Sequence, residues 1–312
     1  MTSKKAPLLE VKDLTVSFQM YDSTLKKTEL KVISDLTATV NEGEILAIAG
    51  SSGSGKSLLA HAILGLLPNN ATIMGEMYYK GEPLTPIRQR KLRGKEIALV
   101  PQSINYLDPL MKIGKQVLGT NNSKDKRKAQ KEIFQRFQLE ESTEQLYPFQ
   151  LSGGMARRVL VSTAVISDAS LIIADEPTPG MNVEQAMEAL QFFRELAKEG
   201  KAVILITHDI DLAFHFADKI AVFYAGTTLE IAPSSDFIQG PKALRHPYSK
   251  ALWNALPQNG FSPISGFQPY ANELPQGCLF APRCDCRSDK CLHEKPGMKE
   301  VREGYVRCFD AT

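Results

Sequence analysis

One octapeptide, Gly50-Ser51-Ser52-Gly53-Ser54-Gly55-Lys56-Ser57, constrains this chain more than any other stretch. It satisfies the pattern G-x-x-x-x-G-K-[ST] at every fixed position. Before it, Ile45 to Ala49 is an apolar run short enough for a buried parallel strand. After it, Leu58, Leu59, Ile63, Leu66 and Leu67 recur at helical spacing until Pro68 stops the pattern. Strand, glycine loop and helix is the context in which main-chain N–H groups surround phosphate oxygens, with the helix N-terminus adding positive field. Lys56 is expected to reach the β- and γ-phosphates, and the Ser57 hydroxyl to hold Mg²⁺. Residues 50–57, with Leu58 behind them, form the expected phosphate-binding set. A glycine-rich turn without a ligand is the bland alternative, and the flanks weigh against it. The chain is expected to bind a nucleoside triphosphate.

A length of 312 residues calls for one large domain with an appendage, or for two domains. Apolar residues at 43% and charged residues at 23% describe an ordinary globular protein. A net charge of +2 argues neither for nor against nucleic acid. No run approaches the roughly 18 apolar residues that a membrane span requires. Met1 to Lys5 is basic but has no apolar stretch behind it, so a signal peptide is not expected and a cytoplasmic location is. All five cysteines fall between Cys278 and Cys308. A reducing cytosol disfavours structural disulfides, and such a cluster in one tail points to metal.

Taken in order, residues 8–18 alternate loosely and end in Phe18, and Ile33, Leu36, Ala38 and Val40 alternate again. These read as antiparallel strands with a polar loop at 19–30 between them. Phe18 could stack on an adenine ring, or be a half-buried strand residue. Residues 75–84 read as a hairpin turning at Lys80-Gly81, and Ile97 to Val100 as a strand stopping at Pro101-Gln102. From Lys124 to Leu139 the pattern is helical, its basic start a solvated face; with no aromatic residues interleaved, no nucleic-acid site is expected. Leu151-Ser152-Gly153-Gly154-Met155 precedes another helix ending near Ile166. Leu171 to Ala174 is a buried strand delivering Asp175 and Glu176 at its carboxyl end. A helix with Ala186, Leu190, Phe193 and Leu196 on one face follows, and then a strand, Ala202 to Ile206, ending in Thr207-His208-Asp209. This alternation is that of an α/β fold with a parallel sheet and its ligand at the strand carboxyl ends.

Five motifs thus stand in one order: GSSGSGKS, Gln102, LSGGM, IIADE and His208. Each alone has a dull explanation; together, in this order, they resemble the ATP-binding subunit of an ABC transporter. The resemblance implies a P-loop ATPase core with an antiparallel β subdomain, and a helical subdomain near residues 103–166. Asp175 would hold Mg²⁺ as a Walker B aspartate does, together with Ser57 and Gln102. Glu176 would polarise the attacking water. His208 resembles the switch histidine that steadies the γ-phosphate, and Gln102 the loop glutamine that senses the membrane subunit. Leu151 to Met155 would face the ATP of a second ATPase subunit, offering a helix N-terminus to it.

The likeness narrows further. Residues 102–117, LYPFQLSGGM and HPYSKALWNALP at 246–257 are similar to the peptide and nickel importer branch, as is the tail Gly277-Cys278-Leu279-Phe280-Ala281-Pro282-Arg283-Cys284 followed by Cys291 and Cys308. Subunits of that branch act as two non-identical ATPases under two transmembrane permease subunits, fed by an extracytoplasmic binding protein. The implied place is the cytoplasmic face of the membrane, bound peripherally. One departure stands out: Pro179-Gly180-Met181-Asn182 replaces the usual S/T-A-L-D, so the loop that couples the two ATP sites loses a charge at Asn182. Met155 in place of the more general glutamine is common in this branch.

The tail spacing, C-x₅-C-x₆-C-x₁₆-C over Cys278, Cys284, Cys291 and Cys308, lacks the close pairs of most zinc sites. Four thiolates suit a [4Fe–4S] cluster, which the resemblance also implies; zinc and free thiols remain alternatives, and Cys286 reads as a bystander. The expected layout is an ATPase domain over residues 1–235 and an accessory region over 236–312. The expected function is an ATPase energising import of di- or oligopeptides or of a nickel chelate. The competing readings are a soluble ABC ATPase without a membrane partner, and a regulatory ATP-binding subunit whose partner hydrolyses.

Overall fold

The computed structural model describes residues 6–21, 25–51, 53–119 and 123–311. Among the described residues the strands are β1 (Leu9–Tyr21), β2 (Lys27–Val40), β3 (Ile45–Gly50), β4 (Ala71–Tyr79), β5 (Glu82–Pro83), β6 (Ile97–Val100), β7 (Leu171–Asp175), β8 (Ala202–Thr207), β9 (Lys219–Tyr224), β10 (Thr227–Pro233), β11 (Lys299–Val301) and β12 (Gly304–Val306). The α-helices are α1 (Lys56–Leu64), α2 (Pro86–Leu92), α3 (Ile113–Leu118), α4 (Lys124–Arg136), α5 (Gly153–Val165), α6 (Val183–Lys198), α7 (Ile210–Phe216), α8 (Ser234–Gln239), α9 (Pro247–Asn254) and α10 (Asp289–His293). The chain divides into two compact units. Met1–Asn41, Leu46–Pro86 and Thr207–Thr312 make the first; Glu42–Ile45 and Ile87–Ile206 make the second.

In the first unit, β2, β1, β4 and β5 form an antiparallel sheet in that order. Leu9, Val11, Leu14 and Val16 are buried while Lys12 and Asp13 are exposed, the half-buried pattern of a sheet with one wet face. The hairpin closes at Lys80-Gly81, with φ of 52° and 74° and Tyr79 opposite Glu82, the left-handed pair that a two-residue turn demands. The polar loop expected at 19–30 is corrected: β1 continues to Tyr21 and β2 begins at Lys27, with Gln19 paired to Glu29. This ribbon is exposed, so backbone pairing holds it without the hydrophobic alternation that would announce a strand. Residues 22–24 lie outside the described residues.

The second sheet of this unit places β11, β12, β10, β9 and β3 side by side. β3 is buried along its whole length and lies parallel to β9, Gly50 opposite Phe223. The sequence past residue 235 shows no long periodic element, yet β11 and β12 return to this sheet, with Ile231 opposite Tyr305. A buried carboxylate fastens that return. Glu230 on β10 is 0% exposed and accepts from the Arg245 and His246 amides at 2.9 and 2.8 Å. The Arg245 guanidinium adds a bond to Glu230 at 3.4 Å, one to Asp236 at 2.7 Å and one to the Val301 carbonyl at 2.6 Å. Helix α1 ends at Leu64, four residues before Pro68, because Gly65 caps it at φ 64°.

In the second unit, β6, β7 and β8 run parallel, Ile97 opposite Leu171 and Leu171 opposite Ala202. β7 and β8 are buried throughout, as strands covered on both faces must be. Helix α6 buries Ala186, Ala189, Leu190, Phe193, Leu196 and Ala197 on one face. Helix α4 stops at Arg136, short of the expected Leu139: Gln138 turns to φ 51° and lets the Leu139 amide bond back to the Phe134 carbonyl at 2.8 Å. Arg158 of α5 then takes the exposed carbonyls of Phe137 and Gln138, at 2.7 and 3.2 Å. Among the described residues, no helix is long and apolar enough to cross a membrane.

Glu230→Ala should unmoor β11, β12 and the start of α9, because it strips two amides and a guanidinium of a buried acceptor. A loss of about 3 kcal/mol is expected, read as a lower urea midpoint with unchanged slope.

Candidate nucleotide site and cysteine cavity

β3 delivers the chain to the glycine loop, where Gly53 and Gly55 take φ of 76° and 94°. Those left-handed turns bend the loop onto itself, which side-chain-bearing residues resist. Lys56 is only 6% exposed, and its ammonium donates to the carbonyls of Gly50 and Ser51, each at 2.9 Å. The Ser54 hydroxyl donates to the Ser51 carbonyl at 2.8 Å. Ser57 and Leu58 open α1 and are half-buried; Ser52 lies outside the described residues. Phe18 is half-buried in β1, opposite Leu30 and Ala71. His208 is exposed just past β8, and Asp209 caps α7 by accepting from the Leu212 amide at 3.1 Å.

Ser51 takes a contact from the distant C-terminal part of the same unit. Its hydroxyl donates to Oε1 of Gln268 at 2.5 Å. Nearby, burial drives the phenol of Tyr248 up to about 12, with Tyr224 adding to the rise and Arg283 and Ser51 opposing it. Beside Gly53 and Ser54 lies a cavity of about 260 Å³ walled by Val32, Gly226, Phe267 and Tyr270. A stretch of tail therefore stands against the phosphate loop.

In the second unit, β7 ends at Asp175, 3% exposed, and Glu176, 6% exposed. Glu176 holds φ at 49°, its amide bonded to the Ile206 carbonyl at 2.9 Å. A left-handed glutamate costs ~1–2 kcal/mol, so the surrounding fold imposes this conformation. Gln102 is exposed just beyond β6. Arg157 of α5 holds this segment: one terminal nitrogen donates to the Pro101 carbonyl at 2.9 Å and the other to the Gln102 carbonyl. Burial pulls its guanidinium down from the ordinary arginine range, while Asp175 and Glu176 oppose that pull, so it stands in the field of both acids.

Helix α5 starts at Gly153 with Ser152 as its cap, the Ser152 hydroxyl accepting from the Met155 amide at 3.3 Å. Ser152 and Gly153 are exposed, and Leu151, Gly154 and Met155 are half-buried, leaving the positive end of the helix open to an anion. Asn182 caps α6, its side-chain oxygen accepting from the Gln185 amide at 2.8 Å. Asparagine caps as well as aspartate does, so what this position lacks is charge alone.

Back in the first unit, Cys278, Cys284, Cys286, Cys291 and Cys308 all line one cavity of about 110 Å³, together with His246. All five are free thiols. Burial pushes Cys278 and Cys308 upward and takes Cys284 up to about 11, so a thiolate here requires a positive partner. Among the described residues, no group of three or more Cys, His, Asp or Glu is placed so that it could hold a metal ion. His246 is buried, and desolvation, with Lys250 adding, takes its ring down to about 3.

Comparison with known proteins follows the same lines. The family model described as ABC transporter matches residues 33–179, and that of the oligopeptide/dipeptide transporter C-terminal region matches residues 229–291. The oligopeptide transport ATP-binding protein OppD of Salmonella typhimurium is 34% identical over 99% of this chain and 96% of its own length. The dipeptide transport ATP-binding protein DppD of Caldanaerobacter subterraneus is 34% identical over 96% of each chain. The chain belongs to the ABC transporter ATP-binding subunits. Among solved structures, the dimeric ABC transporter cassette MJ0796 superposes with a TM-score of 0.64 at 28% identity, covering 72% of this chain and 98% of that one. The fold of this ABC subunit is therefore that of an ABC ATPase cassette, and the chain is an ATPase.

Sequence reasoning missed Arg157 and Gln268. Two adjacent arginines in the apolar run MARRVLVSTAV were a legible signal for the first. Nothing local marks Gln268, whose partner lies 217 residues away. Arg157→Leu is expected to leave ATP affinity in place and lower turnover about tenfold, roughly 1.4 kcal/mol of barrier, by freeing the Gln102 segment. Steady-state kinetics alongside nucleotide titration checks the split.

Proposed function

We propose that this ABC subunit hydrolyses ATP to drive import of di- or oligopeptides, bound peripherally to the cytoplasmic face of a membrane under two permease subunits. The pairing of both family regions in one chain supports a transporter over a soluble ABC ATPase. Relatives named for oligopeptide and dipeptide transport support peptides over a nickel chelate as cargo. In this reading residues 1–235 are the ATPase domain, with a helical subdomain near 103–166, and residues 236–312 are the accessory region. A second, non-identical ATPase subunit and an extracytoplasmic binding protein complete the assembly.

The first unit supplies phosphate recognition. Lys56 exchanges its two loop carbonyls for phosphate oxygens, so the ammonium is never left bare. Residues Gly50 to Leu58 offer main-chain amides, Phe18 a face for the base, and His208 a contact to the γ-phosphate. The second unit supplies the hydrolytic groups. Asp175 and Gln102 offer hard oxygen ligands suited to Mg²⁺, as does the Ser57 hydroxyl in the first unit; when bound, the ion neutralises phosphate charge. Glu176 orients and polarises the attacking water. Ser152 to Met155, open at the head of α5, receive the ATP of the second subunit.

The observation that carries the assignment is Glu176 itself: a nearly buried carboxylate, held at φ 49°, directly after an acid on a buried strand end. A base kept away from bulk water and fixed by the backbone is what water activation requires. Intact Glu176 and His208 weigh against a purely regulatory subunit. Glu176→Gln should retain ATP binding while hydrolysis and peptide uptake by the assembled transporter fall by orders of magnitude; undiminished turnover refutes the role.

For the tail, Cys278, Cys284, Cys291 and Cys308 are proposed to hold a [4Fe–4S] cluster with a structural task. The cavity they share supports this. Protein purified without oxygen is expected to carry about four iron atoms per chain with visible absorbance. One zinc per chain and no colour overturns the cluster.

A further inference from the structure

The segment that follows α9 brings two large rings to the phosphate loop and leaves them open. Phe267 is 94% exposed and Tyr270 74%, yet both wall the cavity of about 260 Å³ that adjoins Gly53 and Ser54. Their backbone is held in place. Arg283 donates from Nε to the Ser265 carbonyl at 2.8 Å and from one terminal nitrogen to the Ile264 carbonyl at 3.2 Å. Its other terminal nitrogen donates to the phenol of Tyr224 at 3.3 Å, one residue past Phe223, the strand partner of Gly50. Gln268 then accepts from Ser51, Pro269 fixes the next φ, and the Glu273 amide closes a turn on the Tyr270 carbonyl at 2.9 Å. Rings of this size left bare on an anchored backbone mark a surface that something covers.

The ligand of the loop is what lies nearest. Phosphates seated on the amides of residues 53–57 leave the nucleoside outside the loop, within the short reach of a phosphate chain. The rest of the wall, Val32, Ala225, Gly226 and Leu274, is apolar side chain or plain backbone, and Gln268 adds one amide. Among the described residues no charged side chain lines this space, so it favours a neutral group over a further anion. An apolar cleft with few polar groups, near the lower end of the ~300–1,000 Å³ of small-molecule sites, suits a flat base and its sugar. Phe18, half-buried in β1, can show a base only part of one ring, whereas Phe267 and Tyr270 show most of theirs.

We propose that Phe267 and Tyr270 hold the nucleoside of ATP, its base stacked against these rings and its ribose in the cavity; this rests on the glycine loop taking the phosphates. The tail is then part of the nucleotide site and supplies the contact to the base that main-chain amides cannot. Stacking accepts any base, because every base has a π-face, so GTP would depend on the same rings.

The test compares ATP with inorganic tripolyphosphate, which offers the loop phosphates and no nucleoside. Each is titrated with Mg²⁺ into the full chain by calorimetry. Both rings are exposed, so the double substitution Phe267→Ala and Tyr270→Ala should melt at the wild-type temperature. That variant should bind ATP about tenfold more weakly, the loss of one stacked base, and tripolyphosphate as the wild type does. Unchanged ATP affinity overturns the inference and leaves the rings to a partner subunit. Equal weakening of both ligands also overturns it, because the segment would then act only on the shape of the loop. A wild-type chain that binds neither ligand overturns the phosphate reading of the loop, and the inference with it.

Discussion

The ammonium of Lys56 sits in the interior of its own loop, and two carbonyls of that loop keep it there. A bare ammonium at 6% exposure would be intolerable, since desolvating an isolated charge costs far more than a fold of this size can spare. Bonding to Gly50 and Ser51 resolves this and at the same time closes the loop around the ammonium. The loop is therefore built before its ligand arrives. Several features of the first unit bear on that loop: β3 and β9 anchor its start, α1 its end, and Ser51 ties it to the tail.

Much of this was legible because it is local. The glycine loop, its strand, its helix and the hairpin at Lys80-Gly81 each follow from residues within about ten positions of one another. Buried parallel strands announced themselves as unbroken apolar runs, as β7 and β8 do. The failures have a common cause as well. The ribbon of residues 19–21 and 27–30 is largely exposed and is held by backbone pairing, which composition does not record. The ends of α1 and α4 are set by Gly65 and by Gln138 in a left-handed turn, and the apolar spacing runs past both.

The candidate site divides in the same way. Asp175, Glu176 and Gln102 could be picked out by type and order, but the strained φ of Glu176 is a property of the fold around β7 and leaves no mark in sequence. Arg157 was visible only as an oddity, a cation in an apolar helix, and its purpose needed the carbonyls of Pro101 and Gln102 to be seen beside it. Asn182 is the converse case. Read as a lost charge, it looked like a defect; read in place, it caps α6 as its aspartate counterpart would. The cysteines were located by count and spacing, whereas the histidine on their cavity wall is a product of the α9 cap geometry.

Ser51 has a consequence for how such chains can diversify. Its hydroxyl reaches Gln268, well past the ATPase motifs, and Phe267 and Tyr270 wall the cavity beside the loop, so the C-terminal stretch is woven into the nucleotide pocket and is no detachable ornament. Genetic exchange that joined the front of one paralogue to the tail of another would mismatch these partners unless both parents shared them. Recombination breakpoints compatible with function should accordingly avoid the interval that separates the loop from its distant tethers, and the two ends of the gene are bound to drift together.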